Sequence, residues 1–166
     1  LRQKDFSSVE LTRLFLERIE KFDTKLHSYL TVDTENALSV ATKADKRLMS
    51  GNAAGPLDGL PISIKDLEIT AGLKTTGGSQ IFKDRVPKED SVVVERIKDA
   101  GAVILGKTNT PEFGLLGVTS NLLGEHCRNP WNITKTSGGS SGGAASALAA
   151  GLCPVSIGGD GGGSIR

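Results

Sequence analysis

Two serines set among glycines, and a lysine upstream of them, are the residues of this chain best placed to do chemistry. Residues 137–166 read SGGSSGGAASALAAGLCPVSIGGDGGGSIR and hold two glycine-serine clusters, Gly138 to Gly143 and Gly158 to Ser164. Glycine permits turns with positive φ and lets backbone approach a ligand closely. Successive N–H groups with no side chains over them can bind an anion or a developing oxyanion. The pattern points to Ser164 as a nucleophile inside such a loop, and to Ser140 as a relay for its proton. Lys65, at the end of a short apolar stretch, completes the group. Each residue alone has a blander reading: a solvated lysine at a strand end, or serine serving a turn. A Ser-His-Asp set has no support, because nothing around His126 marks it as a base. Ser164 also lacks the G-x-S-x-G elbow, since Ile165 and Arg166 follow it.

The elements that must position these residues are legible in outline. Residues 7–22 read as an amphipathic helix, with Ser7 and Glu10 as a capping box and Leu11, Leu14, Phe15, Ile19 and Phe22 on its apolar face. A second helix runs from Asp33 or Thr34 to Met49, striped by Ala37, Leu38, Ala41, Ala44 and Leu48, and Gly51 ends it. Leu60 to Asp66 is short, β-branched and alternating, so it predicts a strand with Lys65 at its end. A helix capped by Asp90 or Ser91 turns Val93, Val94, Ile97 and Ala100 inward, and Ala102 to Leu105 predicts a buried strand. Gly106 to Gly117 reads as a loop with a turn of helix, and 122–137 as turns without a period. Gly142 to Ala150 is an Ala-rich helix, Leu152 to Ile157 a strand, and Gly158 onward a loop to Ser164. Helices alternating with short apolar strands predict an α/β fold with a mixed, largely parallel central sheet flanked by helices.

Composition excludes several classes. Net charge is +1 and aromatics are 4% of the chain, so neither the basic stripe nor the stacking surface of a nucleic-acid binder is present. Cys127 and Cys153 make no disulfide framework, and no C-x-x-C or paired histidines suggest a metal. No apolar run reaches the ~18 residues of a membrane span. A reduced, cytoplasmic setting is the expectation. Gly101 to Thr108 matches the G-x-x-x-x-G-K-T phosphate loop, but a helix precedes it and its middle reads as a strand. Nucleotide binding there is rejected, and Lys107 is expected simply at a strand end. Because the chain stops two residues after Ser164, it is expected to be the N-terminal portion, residues 1–166, of one domain that continues.

Five blocks in order carry a family resemblance: GLPISIKD (59–66), GKTNTPEFG (106–114), Asn129-Pro130-Trp131, GGSSGG (138–143) and GGDGGGSIR (158–166). Together they resemble the amidase signature family, over residues ~7 to 166, and the two glycine-serine blocks are highly specific. The resemblance implies the amidase signature fold, N-terminal part only, and a Ser–cis-Ser–Lys triad. Ser164 would be the nucleophile, Ser140 the bridging serine behind a cis Gly139–Ser140 bond, and Lys65 the base. It further implies an oxyanion hole from the N–H groups of Gly161, Gly162, Gly163 and Ser164. Ser141 would support Lys65, Asp160 and Arg166 would position the loop, and Gly114 would line the acyl pocket. A lysine can act as base only when neutral, and burial favours that form, so Lys65 should be enclosed. The implied reaction is hydrolysis of a carboxylic amide through an acyl-enzyme, without metal or cofactor. The implied partners are a small-molecule amide and a second copy in a homodimer, with no direct nucleic-acid contact and no membrane segment. Within the family, Thr110 to Gly114 and Lys65-Asp66-Leu67 depart from the sequences of the glutaminase component of tRNA-dependent amidotransferases. Those departures favour a stand-alone amidase, and the glutaminase component of a tRNA-dependent amidotransferase is the alternative.

Overall fold

The computed structural model of the chain describes residues 1, 3 and 5–166. Its centre is a four-stranded sheet in the order β1-β3-β2-β6, formed by β1 (Tyr29–Val32), β2 (Pro61–Lys65), β3 (Val103–Thr108) and β6 (Ser156–Ile157). β2 runs parallel to both β3 and β6, while β1 pairs antiparallel with β3 at the edge. The sheet is thus mixed and largely parallel, as the alternation of elements predicts. β4 (Arg128–Asn129) and β5 (Asn132–Thr136) form a separate antiparallel hairpin.

Helices cover both faces. On one side α1 (Ser8–Leu26), α2 (Thr34–Met49) and α4 (Gly142–Ala149) close over Val103, Leu105 and Tyr29. On the other, α3 (Val92–Asp99) sets Val94 and Ile97 against Ile62, Ile64 and Ile104. β2 and β3 are buried along their whole length, which suits parallel strands sandwiched between helical layers. Among the described residues no helix is long and apolar enough to cross a membrane.

α1 begins with both arms of the capping box: the Ser7 side chain accepts from Glu10 N at 3.0 Å, and Glu10 Oε2 accepts from Ser7 N at 2.7 Å. The helix runs four residues past the expected end, and its buried face is Ser8, Thr12, Leu16, Ile19 and Leu26. Leu14 and Phe22, expected inward, are 50% and 38% exposed. Small polar residues take the inner face because the helix start packs closely. Ser8 Oγ donates to Gly59 O at 2.7 Å, and the Asp45 carboxylate of α2 accepts from the Ser8 and Val9 amides.

Other boundaries also move. β1 and the β4–β5 hairpin are elements the sequence pattern does not announce. β3 continues through Gly106, Lys107 and Thr108, and Lys107 is fully buried rather than a simple strand-end residue. Against β2 its register skips Leu105, so a bulge separates Ile62↔Ile104 from Ser63↔Gly106. The expected 152–157 strand shrinks to Ser156–Ile157, because Pro154 cannot donate to a ladder and Leu152 and Cys153 turn into the core. In α3, Val93 faces outward and only Val94 and Ile97 are buried.

Candidate active site

Lys65 is the last residue of β2, at the carboxyl end of the parallel strands, where open α/β sheets place their ligand crevices. Ser140 and Ser141 lie at the head of α4, with Ser141 as its N-cap, and the Gly139–Ser140 peptide is cis. Ser164 comes from the loop that follows β6, the strand beside β2. Neighbouring strands and one helix start therefore deliver the three segments to one point.

The geometry there is tight. Lys65 is 1% exposed, and its Nζ lies 2.7 Å from Ser140 Oγ, 2.9 Å from Ser141 Oγ and 3.2 Å from Ser164 Oγ. Ser140 Oγ is 3.0 Å and Ser141 Oγ 2.7 Å from Ser164 Oγ. Ser141 Oγ also lies 3.2 Å from the Gly159 carbonyl. Burial holds the Lys65 ammonium below the ordinary lysine pKa, against the opposing pull of the Glu68 and Asp160 carboxylates. The cluster opens onto a cleft of about 770 Å³ lined by Leu67, Glu68, Leu115 and Leu116 as well as by the glycine loop.

The two glycine clusters serve different ends. Around the first, backbone is in close contact: a Cβ on Gly139 would stand 2.9 Å from Val118 backbone atoms, and one on Gly142 would strike Thr119. Thr119 ties the segment down, donating from Oγ1 to Gly138 O at 2.8 Å and accepting from Gly142 N at 3.1 Å. Around the second cluster, a Cβ on Gly159, Gly161, Gly162 or Gly163 would meet open space. Those glycines leave the backbone bare toward the cleft instead of packing it.

Asp160 organises that second loop. Its carboxylate accepts from the amides of Gly163 (2.7 Å), Ile165 (3.1 Å) and Arg166 (3.1 Å), and from Arg166 Nε and Nη2 at 2.9 and 2.7 Å. The Arg166 guanidinium and these amides hold the Asp160 carboxyl far below the usual carboxylate range. The Gly163 amide is taken by Asp160, while Gly161, Gly162 and Ser164 also line the cleft. Gly163 is brought to the site but as a link in the loop. Gly114 also lines the cleft, and a Cβ on it would approach Ser140 Oγ to 3.5 Å.

Every site residue expected from the sequence thus falls at or beside one cleft. His126 is exposed. Thr119, Glu68, Leu115 and Leu116 join the site without having been singled out by motif. Glu68 follows Lys65 within one turn, with its amide donating to Lys65 O at 3.0 Å, so proximity in sequence was its one signal. Among the described residues, no group of three or more His, Cys, Asp or Glu could hold a metal ion.

Comparison with known proteins agrees on the family. The amidase family model matches residues 10–166. The glutamyl-tRNA(Gln) amidotransferase A subunit of Marinomonas sp. (strain MWYL1) is 50% identical over 166 residues, covering 100% of this chain and 34% of that protein. The protein of the same name from Acidothermus cellulolyticus (strain ATCC 43068 / DSM 8971 / 11B) is 46% identical over 163 residues, covering 98% and 32%. Among solved structures, a bacterial aryl acylamidase of the amidase signature enzymes superposes with a TM-score of 0.93 at 34% identity, covering 100% of this chain and 35% of that one. The chain thus spans about a third of the length of the curated relatives it matches.

Proposed function

The chain belongs to the amidase family, and from that membership we propose that Ser164, Ser140 and Lys65 hydrolyse a carboxylic amide. The observation that carries this reading is the lysine nitrogen within 3.2 Å of three serine hydroxyls in a buried site. A serine hydroxyl is a weak nucleophile until a base removes its proton. In this scheme neutral Lys65 accepts a proton from Ser140 as Ser140 takes one from Ser164. Ser164 Oγ attacks the amide carbonyl, and the oxyanion is received by the N–H groups of Gly161, Gly162 and Ser164. Loss of one such donor typically costs about 10²–10³ in rate. Collapse breaks the C–N bond, and the proton returns through Ser140 to the leaving amine or ammonia. Water then hydrolyses the acyl-enzyme by the same relay. Ser141 holds Lys65 from the other side, and Asp160 with Arg166 shapes the loop.

For the substrate, the amidotransferase relatives outweigh the two local departures that favour a stand-alone amidase. Identity of 50% along the whole chain is a broader signal than Leu67 and the Thr110–Gly114 stretch. We therefore take the whole protein to release ammonia from glutamine for a tRNA-dependent amidotransferase. A glutamyl-tRNA and a second, different protein chain then replace the expected homodimer. The second reading, a stand-alone amidase of apolar amides, draws on the aryl acylamidase likeness and on the exposed Leu115 and Leu116 at the cleft.

The experiment uses the protein at its natural length. A fluorophosphonate probe, mapped by mass spectrometry, should label Ser164, and Ser164→Ala should abolish both label and turnover. Ammonia release from L-glutamine, stimulated by glutamyl-tRNA together with a partner protein, supports the first substrate reading. Hydrolysis of an anilide with no response to tRNA supports the second. A folded protein with no label on Ser164 refutes the serine mechanism itself.

A further inference from the structure

A second buried lysine, Lys107, has no part in the hydrolytic scheme. It closes the G-x-x-x-x-G-K-T pattern whose context excludes a phosphate loop. On β3 it pairs with Ile64, whereas Thr108 pairs with Lys65, so the two lysines project from opposite faces of the sheet. The bulge at Leu105 produces this placement by reversing the alternation between Ile104 and Lys107.

Lys107 is 0% exposed, and its side-chain hydrogen bonds among the described residues all go to one segment. Nζ donates to the Glu68 carbonyl, to Thr70 Oγ1 at 2.9 Å and to Thr75 Oγ1 at 3.0 Å. Asp66 Oδ1 stands 3.9 Å away, also fully buried, and has no hydrogen bond of its own among the described residues. Asp66 Oδ2 accepts from the Thr76 amide at 2.9 Å and from the Thr76 hydroxyl. The pair therefore grips residues 66–76 from beneath. That segment runs straight on from Lys65, and its Leu67 and Glu68 form a wall of the cleft. Leu67 reaches Gly114 so closely that a Cβ there would lie 2.7 Å from its Cδ1. Burial pulls the Lys107 ammonium down to about 8, opposed first by Asp66. An ion pair kept at such a desolvation cost adds little stability over an apolar filling, but it fixes geometry through directed donors.

We propose that Lys107, paired with Asp66, is a positioning residue that holds the Leu67–Glu68 wall of the cleft and so sets how tightly the substrate of Ser164 binds, while the reactivity of Ser164 is left to Lys65. This rests on the reading of Ser164 as the nucleophile. Among the described residues, no hydrogen bond of Lys107 reaches the serine cluster, whereas the carbonyl it holds belongs to a cleft-lining residue. Its loss should therefore appear in binding and spare the chemical step.

The test is saturation labelling of the natural-length protein with a benzyl-bearing fluorophosphonate, which separates KI from kinact. Three variants are compared with wild type: Lys107→Met, the double variant Lys107→Met with Asp66→Asn, and Thr70→Val. The double variant leaves no unpaired buried charge, and Thr70→Val removes, without changing shape, both an acceptor of Lys107 and the Thr70 hydroxyl's own bond to the Glu68 carbonyl, so folding failure of the first does not end the test. In whichever variants fold, KI should rise by about 10- to 100-fold for the lysine changes, less for Thr70→Val, with kinact nearly unchanged. An unchanged KI in the folded double variant overturns the inference. So does a fall in kinact at constant KI, which would put Lys107 in the chemistry. Absence of label on Ser164 in the wild type would instead refute the nucleophile reading, and the inference with it.

Discussion

Replacing Lys65 by methionine keeps most of the side chain's length and removes its nitrogen. An ammonium has three N–H groups, and the hydroxyls at 2.7, 2.9 and 3.2 Å use all of them. A neutral amine has two N–H groups and a lone pair, so in the reactive state one hydroxyl must turn and donate to it. Ser140 lies 2.7 Å from Nζ and 3.0 Å from Ser164 Oγ, and Ser141 lies 2.9 and 2.7 Å from the same atoms; in the proposed scheme it is Ser140 that carries the proton. Loss of a positioned general base typically costs about 10²–10⁴ in rate, and Lys65→Met should slow fluorophosphonate labelling of Ser164 by about that factor. The wild-type rate should climb with pH as Lys65 deprotonates, below the ordinary lysine range because of burial, and the variant should lose that limb. Wild-type stability should rise over the same pH range. With the folded pKa depressed and the unfolded one ordinary, the unfolded chain binds more protons between the two, so wild-type stability rises with pH across that interval. The cost of enclosing a cation is greatest at the acid end of that interval, so Lys65→Met should melt higher than wild type there, by a margin that narrows as pH rises. Labelling of Lys65→Met at the wild-type rate, with the same pH limb, would refute the assignment of the base.

Other outcomes follow from the same geometry. Asp160→Asn keeps the shape but gives Arg166 no charged partner, and labelling of Ser164 should slow by about 10- to 100-fold with little change in melting temperature. Gly114→Ala places a Cβ against Leu67 at a residue with φ of +71°. It should weaken binding of bulky amides more than small ones, and Leu67→Ala should partly restore it in a competition assay. Ser7→Ala removes the α1 cap and should lower stability in a urea titration by about 1 kcal/mol.

The candidate site residues are easier to find in the sequence than the elements that carry them. The glycine-serine blocks and the GLPISIKD strand are local patterns whose order alone groups Lys65, Ser140 and Ser164. α2 and α3 are legible because alanine and valine recur at helical spacing and meet the core at Ala37, Ala41, Ala44, Val94 and Ile97. The inner face of α1 is misjudged from hydrophobicity, because Ser8 and Thr12 are buried by hydrogen bonding and close packing, which hydrophobicity does not register. β1 escapes notice because its partner lies more than 70 residues away on β3. The hairpin does so because every residue of β5 is exposed, so no alternation marks it. The role of Asp160 as a knot of five acceptor contacts is visible in the sequence only in outline. The capture of the Gly163 amide depends on the loop's fold and has no sequence signature.

The placement of Ser140 and Ser141 at the start of α4 has an electrostatic consequence. The aligned peptide dipoles of a helix leave partial positive charge at its head, tempered in α4 by the donation of Gly142 N to Thr119 Oγ1 and of Gly143 N to Asn109 O. In this chain that charge sits beside a lysine nitrogen already bonded to the N-cap hydroxyl. It opposes an ammonium at Lys65 and favours negative charge on the neighbouring serine oxygens. In the proposed mechanism the helix would favour the proton transfer from both ends, making the amine readier to stay neutral and the hydroxyls readier to lose a proton. Lengthening the turn between Ser141 and Gly142 would keep every side chain of the cluster yet withdraw that field.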